Sequence, residues 1–216
     1  MLAVAASCAQ PRHGGTPSPL KDAVILVIRH AEDAREGDGL SATGEARARE
    51  YAGYFKNFTI DGQPLQLDSI FAAQDSSHSH RPRLTVEPTA KALGLTIDSR
   101  YANNQFQELA NEIESRPHGK SILICWHHGR IPQLLHALGA DPQNLLPNGK
   151  WPDDVFGWVI LLRYNENGKL FESKRISENL SSRDLGEAMP VEAREQGSNS
   201  VTFGRDGEHD VTALWA

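Results

Sequence analysis

The sequence predicts a three-layer α/β/α sandwich built on a mostly parallel central sheet. Two apolar runs, residues 23–28 and 121–126, are unbroken and rich in β-branched side chains, as strands buried on both faces are. Around them, further strand-like and helical segments alternate, the pattern that successive βαβ units leave in a chain. The length of 216 residues fits one domain with a real core, and no internal repeat is visible.

In chain order, residues 1–22 read as leader and linker. Residues 1–10 are small and largely apolar, with a cysteine at Cys8, and a Pro/Gly/Ser-rich stretch covers 11–19. This pattern is expected of a bacterial lipoprotein leader, with Cys8 carrying the lipid and the chain tethered in the envelope or periplasm. Its apolar core is short and no Lys or Arg precedes it, so a cytoplasmic chain with an unstructured tail is the competing expectation. No segment approaches the length of a membrane span.

Residues 23–176 read as the folded domain. The strand at 23–28 runs into Arg29-His30 and a charged loop reaching Gly39. Ser41 or Thr43 caps a helix continuing to about Asn57. A strand is expected at 67–72, then a polar loop, then a helix opening at Arg81 with Pro82 in its first turn and Gly94 as its stop. A short strand at 95–97 and a helix marked by Phe106, Leu109, Ala110 and Ile113 precede the second apolar strand. That strand ends in His127-His128-Gly129, and a helix through Ile131, Leu134, Leu135 and Leu138 follows. The last strand is expected at 156–164. Residues 177–216 read as a polar tail able to wrap the domain.

The net charge of −6 argues against nucleic acid as partner, because affinity for a phosphate backbone comes from an excess of Lys and Arg. It leaves room for a small phosphorylated substrate held by a few cations in one cleft. Three segments share one layout in which Arg or His lies just past a strand and before a helix: Arg29-His30, His80-Arg81 and His127-His128. In open α/β sheets ligands bind beyond the carboxyl ends of the strands, so these residues are expected to converge. Guanidiniums and imidazoles gathered there call for an anion, and a phosphoryl group accepts forked Arg hydrogen bonds.

Leu26-Val-Ile-Arg-His-Ala-Glu32, with the Gly39 to Ala48 segment after it, resembles the opening signature of the histidine phosphatase superfamily, the phosphoglycerate mutase-like proteins. Arg81-Pro-Arg-Leu-Thr85 is similar to that family's second-arginine motif, and Ile122 to Gly129 resembles its second-histidine strand. The resemblance implies a phosphoglycerate mutase-like fold and a phosphatase in which His30 is the nucleophile that forms a phosphohistidine. It implies that Arg29, Arg81 and the second histidine hold the phosphoryl oxygens, with no metal and no cofactor. Of the adjacent pair, the His-Gly turn selects His128, since Gly129 lets the backbone pass close to a phosphate; the count along the strand selects His127, here placed behind it. The general acid is unassigned: Glu32 and Glu108 are available, and neither sits in a matching motif. Ser79, His80 and Arg83 are at best contacts at the pocket rim. His78 and His80 lack a carboxylate or thiolate at ligand spacing, which disfavours a zinc site. Trp151 and Phe156 are assigned to the core, with a place in the pocket wall as the alternative. The competing functions are a phosphomutase and a non-catalytic protein of the same fold that binds a phosphorylated ligand.

Overall fold

The structure is a computed structural model that describes residues 18–180. The expected Cys8 anchor and most of the expected polar tail lie outside the described residues. Among the described residues, fourteen elements follow in chain order. They are β1 (Val24–Arg29), α1 (Ala42–Lys56), β2 (Thr59–Ile60), β3 (Gln63–Pro64), β4 (Ser69–Ala72), α2 (Arg81–Leu93) and β5 (Ile97–Asp98). Then come α3 (Phe106–Ser115), β6 (Ser121–Trp126), α4 (Ile131–Ala137), α5 (Pro142–Leu145), a 3-10 turn (Pro147–Gly149), β7 (Trp158–Tyr164) and β8 (Leu170–Ser177).

The main sheet runs β5-β4-β6-β1-β7-β8. The pairs joining β5, β4, β6 and β1 are parallel, while β7 is antiparallel to both of its neighbours. β1 and β6 therefore lie at the centre, which is why their runs are apolar on both faces. Alternate residues serve opposite layers. Ile25 and Val27 pack with Leu109, Ile113, Leu134 and Leu135 of α3 and α4. Leu26 and Ile28 pack with Tyr51, Phe55, Val86 and Ala90 of α1 and α2. Each such side chain, fully buried, contributes about 1.5–3 kcal/mol. Cys125 is buried in the second of these cores, where the apolar surroundings push its thiol pKa upward.

The helix ends follow the local chemistry. The Ser41 hydroxyl accepts from the Gly44 amide and caps α1, and Gly94 ends α2 in the left-handed conformation. Two expectations change. The strands continue beyond Tyr164: β8 pairs antiparallel with β7 as an edge strand. Its side chains alternate between exposed and half-buried, so it lacks the apolar run that marks β1 and β6. The residues before β1 also belong to the domain in part, since Leu20 packs into the core. No helix of the described residues is long and apolar enough to cross a membrane.

Candidate functional site

The carboxyl ends of β1 and β6 set the site. These strands pair in parallel up to Arg29 beside Trp126, and the His30 amide donates to the Trp126 carbonyl. His30 and His127 thus leave the sheet side by side, with ring centroids 5.1 Å apart and an edge-on approach. The His128 ring lies 6.3 Å from that of His30. The loop after β4 delivers Arg81 at the start of α2. Thr85, one turn further on, fixes its height: the hydroxyl donates to the Arg81 carbonyl at 2.7 Å and accepts from the Ala31 amide at 2.9 Å. A single buried hydroxyl therefore ties the loop following His30 to the helix carrying Arg81, which gives the Arg-to-Thr spacing a physical meaning.

The expected residues come together. Burial drives the His30 pKa down to about 2. Its ring accordingly stays neutral, although the Ala31 carbonyl opposes the shift; the charges on Arg29, His127 and Arg81 add to it. Nδ1 lies 2.8 Å from the Ala31 carbonyl oxygen, which fixes that nitrogen as the donor and leaves the lone pair on Nε2. The pKa of His127 is lowered to about 4, by burial first and then by Arg81, His128 and Arg29. That of His128 is lowered too, by burial and Arg29, against the pull of Asp153.

Each arginine has its own scaffold. Arg81 Nε donates to the Ser79 hydroxyl at 3.0 Å, and Nη1 meets Asp33 Oδ2 at 3.0 Å. Arg29 Nη1 donates to the carbonyls of Pro152, Asp153 and Val155, at 3.1, 2.6 and 3.0 Å. Its guanidinium also stacks on Phe156, 3.8 Å from the ring centroid. Burial lowers the Arg29 pKa to about 10, and Nε is buried without a partner. Arg29 is thus both a cation of the cradle and the clamp on the loop 152–156. Phe156, assigned to the core from sequence, is only half-buried and forms a wall of the site, because the guanidinium occupies one of its faces. Trp151 is core as expected, its indole N–H donating to the Val155 carbonyl.

Two carboxylates missed in the sequence reach this group. Asp33 has Oδ1 3.3 Å from His30 Nδ1 while Oδ2 engages Arg81. Asp153 has Oδ1 3.0 Å from His128 Nε2. Both sit in loops with no periodicity, and the only cue is proximity in sequence to His30 and to Phe156. Neither acid weighed from sequence is placed for proton transfer. Glu32 is buried, with both oxygens on Arg47 Nε and a further bond from Nη2. Glu108 faces solvent on α3.

Beneath the loop that follows His30 lies a buried ionic cluster. Arg47 also reaches Glu178, just past β8, and the Tyr51 hydroxyl donates to the same carboxylate at 2.8 and 2.9 Å. Gly44 is needed beside it, since a Cβ there would lie 2.3 Å from the Glu32 carbonyl oxygen. Gly129, whose place selected His128, is different: a Cβ there meets no protein atom within 4 Å. At the rim, His80 bridges Asp38 and Asp75, each 2.8 Å away, and Arg83 shares Asp75. No group of three metal-ligating side chains forms among the described residues.

No protein-family model matches the sequence, and no curated protein matches it. Among solved structures, the chain is similar to the protein histidine phosphatase SixA complexed with tungstate. The identity is 18%, covering 73% of this chain and 99% of that one, with a TM-score of 0.47. It is also similar to a phosphoglycerate mutase from Plasmodium falciparum, at 16% identity over 70% and 90% of the two chains with a TM-score of 0.47. A third is a mycobacterial glucosyl-3-phosphoglycerate phosphatase, at 14% identity over 74% and 100%, with a TM-score of 0.43.

Proposed function

We propose that this chain is a phosphatase of the histidine phosphatase kind, hydrolysing a phosphomonoester through a covalent phosphohistidine on His30. The observation that carries the reading is the neutral, buried His30 ring, its Nδ1 committed to the Ala31 carbonyl, set beside His127 and among the charges of Arg29 and Arg81. A histidine held in this state offers the Nε2 lone pair for in-line attack on phosphorus. The charge that develops on the equatorial oxygens is met by fixed donors, where preorganisation counts most. Water then attacks the phosphoenzyme, the P–N bond breaks, and the electron pair returns to Nε2. The cations come from side chains.

The oxygens are assigned to Arg81, Arg29 and His127. His127 stands closer to His30 than His128 does, and Arg81 is its first charged neighbour. His128, the residue favoured by the His-Gly turn, already meets a carboxylate. The test is rapid-quench hydrolysis of p-nitrophenyl phosphate. A burst of nitrophenol approaching one equivalent, with acid-labile phosphate on the protein, supports the reading, as does loss of both in His30→Asn. A variant as fast as the parent overturns it.

A further inference from the structure

We infer that His128 and Asp153 form the acid–base pair of the site: His128 is a further catalytic residue and Asp153 positions it. The inference rests on the phosphatase reading of His30 and supplies what that reading lacks, a group that moves the proton.

Geometry carries it. The His128 ring stands 6.3 Å from that of His30, inside the group of side chains assigned to the phosphoryl oxygens. Its two nitrogens have different surroundings. Nε2 lies 3.0 Å from Asp153 Oδ1, while Nδ1 is buried with no hydrogen-bond partner. A buried ring nitrogen left unpaired costs free energy unless something arrives to use it. A carboxylate at one imidazole nitrogen orients the ring and stabilises its cation, leaving the other nitrogen to exchange a proton with the reactants. The backbone that carries this carboxylate is held in place. Arg29 Nη1 donates to the Asp153 carbonyl at 2.6 Å and to the carbonyls of Pro152 and Val155 on either side. One guanidinium therefore serves the phosphate and fixes the loop from which Asp153 reaches His128. Among the described residues, no other carboxylate is so placed. Asp33 is engaged with Arg81 and the His30 Nδ1 side, Glu32 is locked to Arg47, and Glu108 faces solvent.

The steps balance. With His128 protonated, His30 Nε2 forms the P–N bond as the P–O bond to the leaving group breaks, and the Nδ1 proton of His128 passes to the departing oxygen. An alcohol leaves and His128 is neutral. Nδ1 then accepts a proton from the water that attacks phosphorus, the P–N bond breaks, and inorganic phosphate forms with His128 protonated again. Burial and Arg29 oppose the cation of His128, Asp153 favours it, and an arriving phosphate dianion favours it further.

The diagnostic is leaving-group dependence. kcat/KM is measured for phenyl phosphate, whose leaving oxygen needs a proton, and for 2,4-dinitrophenyl phosphate, whose leaving group does not. His128→Gln should lose roughly a hundredfold on the first ester and less than tenfold on the second. Asp153→Asn, altered at a side chain 94% exposed and therefore safe for folding, should repeat the pattern at smaller amplitude. Asp153→Glu should recover part of the loss. Equal losses on both esters in both variants overturn the pair while leaving His30 as the nucleophile. A parent protein that hydrolyses neither ester and carries no phosphohistidine overturns the phosphatase reading, and the pair falls with it.

Discussion

Replacing Arg47 with methionine tests the buried cluster that supports the loop following His30. Arg47 is 3% exposed at its side chain, Glu32 8% and Glu178 0%, so the substitution removes a guanidinium from two carboxylates that water scarcely reaches. Breaking a buried ion pair from one side costs about 3–5 kcal/mol, because the remaining charge keeps its desolvation penalty without its partner. With a urea m-value of about 2 kcal/mol/M, a loss of that size lowers the unfolding midpoint by roughly 2 M. The same change should reach the chemistry, since the Glu32 carbonyl accepts from the Ser41 amide and Glu32 is two residues from His30. Urea unfolding followed by circular dichroism measures the first effect, and kcat/KM for p-nitrophenyl phosphate the second. Adding Glu32→Gln and Glu178→Gln should restore at least half of the lost stability, since the orphaned charges are then gone. A loss below about 1 kcal/mol for Arg47→Met refutes the reasoning, because that is the size of a solvent-screened pair. So does a triple variant no more stable than the single one.

Two further perturbations probe the site itself. His30 and His127 stay neutral in the fold at pH values where the unfolded chain protonates both, with pKa values of about 2 and about 4 against a free value of 6.5. Stability should therefore fall as pH drops from about 6.5 toward 4, the two rings together contributing a slope of up to about 2.7 kcal/mol per pH unit. His127→Gln should remove about half of that slope, and an unchanged slope contradicts the burial of its neutral form. Asp33→Asn frees Arg81 Nη1 and removes negative charge beside His30. An exposed pair of this kind is worth about 0.2–1 kcal/mol, so KM for p-nitrophenyl phosphate should fall by roughly 1.5- to 5-fold; a rise in KM contradicts the competition between carboxylate and phosphate for Arg81.

How far the sequence could be read depended on where each residue sits in the sheet. β1 and β6 were legible because central parallel strands must be apolar on both faces, and their ends therefore located His30 and the His127-His128 pair. Arg81 was legible because a helix start has its own grammar, with Pro82 in the first turn and Thr85 one turn on. β8 was not, since its burial alternates while its residue types do not: Glu172 and Lys174 share the half-covered face with Leu170 and Ile176, and Phe171 is exposed. Asp33 and Asp153 act from irregular loops, and only the folded chain shows which cation each meets. Glu32 lies two residues past His30, yet Glu178, the second carboxylate on Arg47, lies far along the chain, beyond the last strand expected from sequence. For the adjacent His127 and His128, a two-residue pattern does not encode how near each ring stands to His30, 5.1 and 6.3 Å between centroids in the fold.

The most direct measurement is the site of phosphorylation. Protein quenched during turnover of p-nitrophenyl phosphate, digested at alkaline pH and analysed by mass spectrometry and phosphorus NMR, should carry a single phosphoryl group on Nε2 of His30. Phosphate on Nδ1 of His30, on His127 or His128, or on no histidine at all during steady hydrolysis contradicts the chemistry assigned to this ring.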